Sequence, residues 1–297
     1  MSANGQSLGK AALWMSGWLA LLVTMAVAGR ETATRLDVFQ VMEIRALAGF
    51  VMLLPLVLAS GGLSAMRTAH PVRHVSRNIV HYVAQYCWLL AVTMIPLAQV
   101  ISIEFTMPIW TAILAVFVLG ETMNPYKIAA IVLGLAGVLI IVRPDAGHAD
   151  PGQLISLASA AGFSISVILV KSLTRTDKPI VIIFWMLIIQ AVIGLVPALM
   201  VWKPVPEGLW PWLLVVAFCG TFSHLCMAKA MTHADATVVV PMDFLRVPLT
   251  ALAGYMVYAE GIDTLTMAGA ALILTGNLLN LKRGGRAQAA DGLRRQE

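Results

Sequence analysis

Apolar residues in this chain come in long blocks, without the alternation of a half-buried strand or the one-sided stripe of a soluble helix. A helix needs about 20 mostly apolar residues to cross a ~30 Å hydrocarbon core. Blocks of that length, punctuated by Pro, Gly and charge, run approximately 11–29, 38–59, 76–95, 97–119, 126–143, 152–171, 179–201, 209–231, 236–258 and 264–281. They predict an all-α integral membrane protein of ten transmembrane helices, with only short loops and a basic tail left over. The first block follows Lys10 and contains Ala26-Val27-Ala28, as a cleavable leader does. Its apolar run of about 18 residues exceeds the usual 7–15-residue leader core, so it is read as a span.

Composition agrees. Of 297 residues, 59% are hydrophobic and 12% charged, against about 25% charged in soluble domains. Mean hydropathy is +0.85. That excludes a soluble enzyme, a disordered chain and a nucleic-acid module. The net charge of +5 reflects topology. With ten spans both ends of the chain share a side, and fourteen Lys and Arg fall there: Lys10, Arg67, Arg73, Arg77, Lys127, Lys171, Arg175, Lys178, Lys229, Lys282, Arg283, Arg286, Arg294 and Arg295. Only Arg30, Arg35, Arg143 and Lys203 fall opposite. The positive-inside rule therefore predicts cytoplasmic termini in an inner membrane. The three cysteines, Cys87, Cys219 and Cys226, lie within apolar blocks without ligand spacing, as small hydrophobes in a core do.

Residues 100–139 match residues 239–278 at a constant shift of 139. Phe105 falls on Phe244, Thr111 on Thr250, Glu121 on Glu260 and Gly137 on Gly276, with Glu104 opposite Asp243. The acidic matches carry the weight, because acids are rare inside spans. The shift equals five spans, an odd number, so the second half enters the membrane upside down. The predicted organisation is two inverted five-helix repeats, residues 1–143 and 144–283, followed by a basic cytoplasmic tail over 284–297. Inverted repeats are an architecture of alternating-access carriers.

Several short motifs carry a family likeness. Pro96-Leu97-Ala98 opens the fourth span; Leu119-Gly120-Glu121 and Tyr258-Ala259-Glu260 close the fourth and ninth. Gly134-Leu135-Ala136-Gly137-Val138 and Arg45 also fit. In order, spacing and repetition the chain resembles the drug/metabolite transporter superfamily, in particular its EamA-type members, over essentially its whole length to about residue 283. The resemblance implies a ten-helix inner-membrane carrier with a central cavity. Members of that family move amino acids, nucleobase-like compounds, cations and other metabolites.

Charged groups at membrane depth cost ~2.5–3.5 kcal/mol on insertion scales, so each is a candidate for function. Glu104 and Arg45 stand about seven residues into spans that start at the periplasmic face, about 10 Å deep at 1.5 Å per residue. Asp243 lies equally deep from the cytoplasmic face, and His224 reaches a comparable level. The expectation is an Arg45–Glu104 pair and a His224–Asp243 pair, with Arg246 one turn from Asp243, bracketing a cavity that binds substrate charge or carries a coupling proton. The alternative is neutralising pairs that hold helices together. Pro108, Pro241 and Pro248 take the backbone donor from the carbonyls of Glu104, Thr237 and Phe244, placing hinges beside both acids. Gln85, Trp88 and Trp110 offer amides and rings to a solute. Trp14, Trp18, Trp202, Trp210 and Trp212 look like interfacial anchors, Arg67, Arg73 and Arg77 like topology determinants with anionic-lipid contacts, and His81 like a hydrogen-bonded interface residue. Glu121 and Glu260 look like braces at helix ends.

No GxSxG, HExxH or P-loop occurs, and no metal or cofactor site is expected. The reading is a secondary active transporter of small organic metabolites, working by proton-coupled efflux. Small residues in spans five and ten would allow a homodimer. A passive facilitator or channel, or a non-transporting membrane enzyme or lipid-handling scaffold, are the rival readings.

Overall fold

The computed structural model describes residues 8–107, 109–111, 113–114, 125–142, 150–174, 176–233, 242–261 and 263–294. Every regular element among them is helical: α1 (Leu8–Ala33), α2 (Val38–Ala59), α3 (Pro71–Met94), α4 (Leu97–Glu104), α5 (Pro125–Val142), α6 (Pro151–Leu173), α7 (Pro179–Met200), α8 (Trp210–His233), α9 (Arg246–Tyr258) and α10 (Thr264–Arg294). Local chemistry sets many of the starts. Asp37 accepts from Phe39 N at 2.9 Å and Asp150 from Gly152 N at 2.7 Å, each satisfying a helix N–H that has no intrahelical partner. Pro71, Pro151 and Pro179 stand at first helical positions, where their missing N–H costs nothing.

The distribution of polarity is that of a membrane bundle. Leu13, Val51, Leu58, Val83, Leu195 and Met256 are exposed, while Arg45, Arg77, Asn78, Gln85, Gln190 and Asp243 are buried. Five helical stretches are long and apolar enough to cross a membrane: α1, α2, Pro151–Val170 of α6, α7, and Glu207–Met227 running into α8. Helix α3 has the length, about 36 Å for 24 residues. It is less apolar because one face, with His74, Arg77, Asn78, His81 and Gln85, is buried inside the bundle.

The packing has a two-fold exchange. Helix α1 lies on α8 and α3 on α6; α4 touches α6 and α9 touches α1; α2 meets both α7 and α8, and α3 also meets α7. The remaining principal pairs are α2 with α7, α4 with α9, and α5 with α10. Replacing each helix by its counterpart five places along leaves these neighbours unchanged, whereas the α1–α3 and α4–α10 contacts have no comparable counterpart among the described residues. At the α5–α10 seam, a Cβ on Gly269 would come within 2.6 Å of the Gly137 carbonyl oxygen, a close approach that small residues permit. Gly137, part of the small-residue pattern behind the dimer expectation, thus packs within the chain.

The fourth and ninth blocks are not continuous helices. Helix α4 ends at Glu104 and the chain turns at Phe105–Thr106; the second half turns at Phe244–Leu245 before α9 begins. The two turns coincide under the shift of 139. Ile109 N bonds back to Thr106 O at 2.8 Å, leaving the Phe105 carbonyl to accept from Asn277 Nδ2 of α10 at 2.9 Å. That partner meets the need of a backbone carbonyl at membrane depth. Beyond Pro248, Val247 N reaches Phe244 O at 3.3 Å. Pro108, Pro241 and Glu121 lie outside the described residues. The stretch expected as a tail continues α10 as helix to Arg294.

Candidate functional site

The two turns bring the two acids onto one cation. Arg246, the first residue of α9, donates from Nη1 to Glu104 Oε1 at 2.9 Å and from Nη2 to Asp243 Oδ2 at 3.2 Å. The remaining oxygens are also filled. Trp88 Nε1 of α3 donates to Glu104 Oε2 at 2.8 Å, and Trp18 Nε1 of α1 to Asp243 Oδ1 at 2.7 Å. Phe105 and Phe244 meet edge to face with centroids 5.5 Å apart, and the Arg246 guanidinium lies 4.9 Å over the Phe105 ring. Four helices and both turns therefore converge on a buried centre of two carboxylates and one guanidinium.

This pairing differs from the expected one. Glu104 takes Arg246 from the other half of the chain, and Arg45 is not among its partners. Trp18, expected as an interfacial anchor, is turned inward and stands between Asp243 and His224, its ring centroid 6.1 Å from the histidine's. Trp88 joins the acids as a donor. Trp110 Nε1 instead bonds Thr106 at 3.1 Å, and Gln85 is buried with Oε1 lacking a protein partner.

A second polar cluster lies alongside. Arg45 of α2 and Arg77 of α3 are 3% and 5% exposed, and His81 stands one turn beyond Arg77 on the same face of α3. Arg77 is thus an interior residue, where an anionic-lipid contact was expected. Its Nη1 donates to Asn78 Oδ1 at 2.8 Å, while Arg77 Nε and Arg45 Nε and Nη1 have no partner. Arg45 lies against Gly220 of α8, where a Cβ would come 2.5 Å from its Nε. His81 Nδ1 bonds Ser166 of α6 at 3.2 Å, the helix-interface role expected of it. Composition overlooked Glu43. It is 2% exposed, with Oε2 unpartnered near the equally unpartnered Tyr82 hydroxyl and Gly194. An acid six residues into an apolar block was the available signal.

One end of the bundle is tied shut. Arg30 at the end of α1 pairs with Glu260 and donates to the Val92 and Ile95 carbonyls that end α3. Glu260 Oε2 accepts from Leu97 N at 3.1 Å, capping α4. Glu260 therefore braces the two halves, as expected. At the other end of α3, His74 Nε2 and Thr68 Oγ1 each reach Asp177 Oδ2 at 2.7 Å. Burial alone would raise the Asp177 pKa, but these two hydrogen bonds and the nearby histidines outweigh it and hold the carboxyl below its usual range.

An apolar exterior around a charged interior is the arrangement of an integral membrane protein. The chain belongs to the EamA-like transporter family, which matches residues 9–143 and again 150–282, two copies in one chain. Relatives share its length. It is 28% identical over 252 residues to an S-adenosylmethionine uptake transporter of Rickettsia prowazekii, covering 85% of each chain. It is 31% identical to a riboflavin transporter of Rhizobium johnstonii, over 74% of each, and 25% identical to the pseudopaline exporter CntI of Pseudomonas aeruginosa, over 82% of this chain and 86% of that one. A solved crystal structure shares the fold with a TM-score of 0.65 at 19% identity, covering 95% of this chain and 99% of that one. The protein is a multi-pass inner-membrane transporter of small metabolites in the drug/metabolite superfamily, and not an enzyme.

Proposed function

We propose that the protein is a secondary active carrier working by alternating access, with ten spans as two inverted repeats and both termini cytoplasmic. Its coupling centre is Glu104–Arg246–Asp243. The observation that carries this is the coincidence of two helix turns, Phe105–Thr106 and Phe244–Leu245, at repeat-equivalent positions beside the two acids. Discontinuous helices at the interface between repeats are where carriers bind substrate and coupling ions. One guanidinium faces two carboxylates, which with both acids ionised leaves one negative charge uncompensated among the described residues. A proton or the positive centre of a substrate neutralises it equally well, and competition between them couples substrate efflux to proton entry. The gradients set direction, in keeping with relatives named for uptake and for export.

The test uses purified protein in liposomes and radiolabelled amino acids, nucleosides, organic cations, carboxylates, S-adenosylmethionine and riboflavin. Saturable counterflow of one class is the expected result. Folded protein that gives no counterflow across the panel, or flux that does not saturate, overturns the carrier reading, the second outcome in favour of a facilitator.

A further inference from the structure

Arginine stays protonated in proteins and carries five N–H donors in a rigid fork. A buried guanidinium is therefore expected to have carboxylates or carbonyls around it, as Arg30 and Arg246 do. Arg45 and Arg77 do not. Both are more than nine-tenths buried, and three of their N–H-bearing nitrogens, Arg45 Nε and Nη1 and Arg77 Nε, have no partner among the described residues. Among the described residues neither makes an ion pair with a carboxylate; His81 stands one turn beyond Arg77 on α3, and Arg45 lies against Gly220, one turn before His224 on α8. Two buried cations with donors unmade form an incomplete arrangement. Its missing component is an anion that accepts several hydrogen bonds at once.

A glycine admits the guanidinium to this place. Gly220 withholds a side chain where α8 faces the Arg45 guanidinium. His224 stands one turn further along α8, and its ring centroid lies 6.1 Å from that of Trp18. Trp18 in turn reaches the acidic centre through its hydrogen bond to Asp243.

We propose that Arg45 and Arg77, with His81 and His224 beside them, form an oxyanion subsite for the substrate. The protein then carries organic metabolites bearing a carboxylate or phosphate, bound at the guanidinium forks, with any positive centre of the same molecule directed to Glu104 and Asp243. This deepens the carrier reading by naming the substrate class, and rests on it for the word substrate. The subsite itself is a binding claim that stands apart from transport.

The experiment is a thermal-stability titration of the full-length protein in detergent with sodium acetate and with inorganic phosphate, against chloride and tetramethylammonium at matched ionic strength. Wild type shows saturable stabilisation by acetate or phosphate beyond chloride, and the one saturating at lower concentration identifies the oxyanion. Arg45→Gln and Arg77→Gln raise the half-saturating concentration about tenfold or more, the scale of a lost charge-assisted hydrogen bond. Arg73→Gln, an exposed residue of α3, leaves it unchanged. If the glutamine variants do not purify folded, Arg45→Lys and Arg77→Lys keep the charge, lose the fork and show a severalfold weakening. No saturable oxyanion effect in wild type, or the same effect in every Arg45 and Arg77 variant, overturns the subsite. Anion binding without counterflow would leave the subsite and remove the carrier; saturable counterflow without an oxyanion effect would do the reverse.

Discussion

Two charged clusters share the interior of this bundle, and they are built oppositely. Around Arg246 all four carboxylate oxygens of Glu104 and Asp243 have a donor, two from the guanidinium and two from the indoles of Trp18 and Trp88. Around Arg45 and Arg77 the donors outnumber the acceptors and several stay unmade. Among the described residues the first cluster sets two carboxylates against one guanidinium, and the second makes no ion pair with a carboxylate. Breaking a buried, satisfied pair is strongly destabilising, whereas groups left open gain a partner only when something binds. The difference separates a centre that holds the two halves together and takes up a single positive charge from a surface prepared for an anionic guest.

The largest effect comes from removing the shared cation. Arg246→Gln leaves two carboxylates without a guanidinium and costs about 3–5 kcal/mol, the scale of a broken buried ion pair. The expected readout is loss of the monodisperse peak in size-exclusion chromatography, recovered when Glu104→Gln and Asp243→Asn are added. A stable single variant would remove the distinction between the clusters.

The indoles sharpen the comparison. Trp88→Phe and Trp18→Phe each delete one hydrogen bond to a charged acceptor, worth roughly 1.5–3 kcal/mol. Both lower the melting temperature. Only Trp18→Phe also weakens oxyanion stabilisation, because Trp18 alone stands between Asp243 and His224.

Gly220→Ala acts on the second cluster and leaves the first untouched. Its Cβ would displace the Arg45 guanidinium, so half-saturation by the oxyanion rises severalfold while stability without anion changes little. The same titration checks it.

The smallest effect lies outside both clusters and serves as a control. The Asp177 carboxyl is held low in the folded state. Its contribution is complete above the unfolded value, about 3.9, and disappears as pH falls through the lower folded value. Asp177→Asn therefore lowers the melting temperature at neutral pH, and the gap to wild type closes below about pH 4. A gap independent of pH would mean that the carboxylate charge contributes nothing there.

Much of this was legible in the chain. Block boundaries at 38–59 and 179–201 fall within a residue of α2 and α7, because Asp37 and Pro179 mark the starts chemically. Glu104, Asp243 and Arg246 stand out as charges in apolar blocks, and prolines lie near both turns. Partnership was not legible. Glu104 and Arg246 are 142 residues apart, and which one meets which depends on how each helix is rotated against neighbours from the other half. The same ambiguity hid Trp18 and Arg77. Arg77 stands at the start of its predicted span and Trp18 about seven residues into its own, and neither position tells an anchor from an inward-facing donor. Glu43 was missed for a simpler reason: its block is apolar enough on average to conceal one acid.

The central claim is that the Glu104–Arg246–Asp243 centre couples movement of the substrate to a proton. The most direct measurement compares counterflow with accumulation driven by a pH gradient in the same proteoliposomes, for wild type and Glu104→Gln, using whichever labelled compound gives saturable exchange. The account predicts that the variant keeps exchange and loses proton-driven accumulation. Accumulation at the wild-type level in Glu104→Gln, and equally in Asp243→Asn, would contradict it.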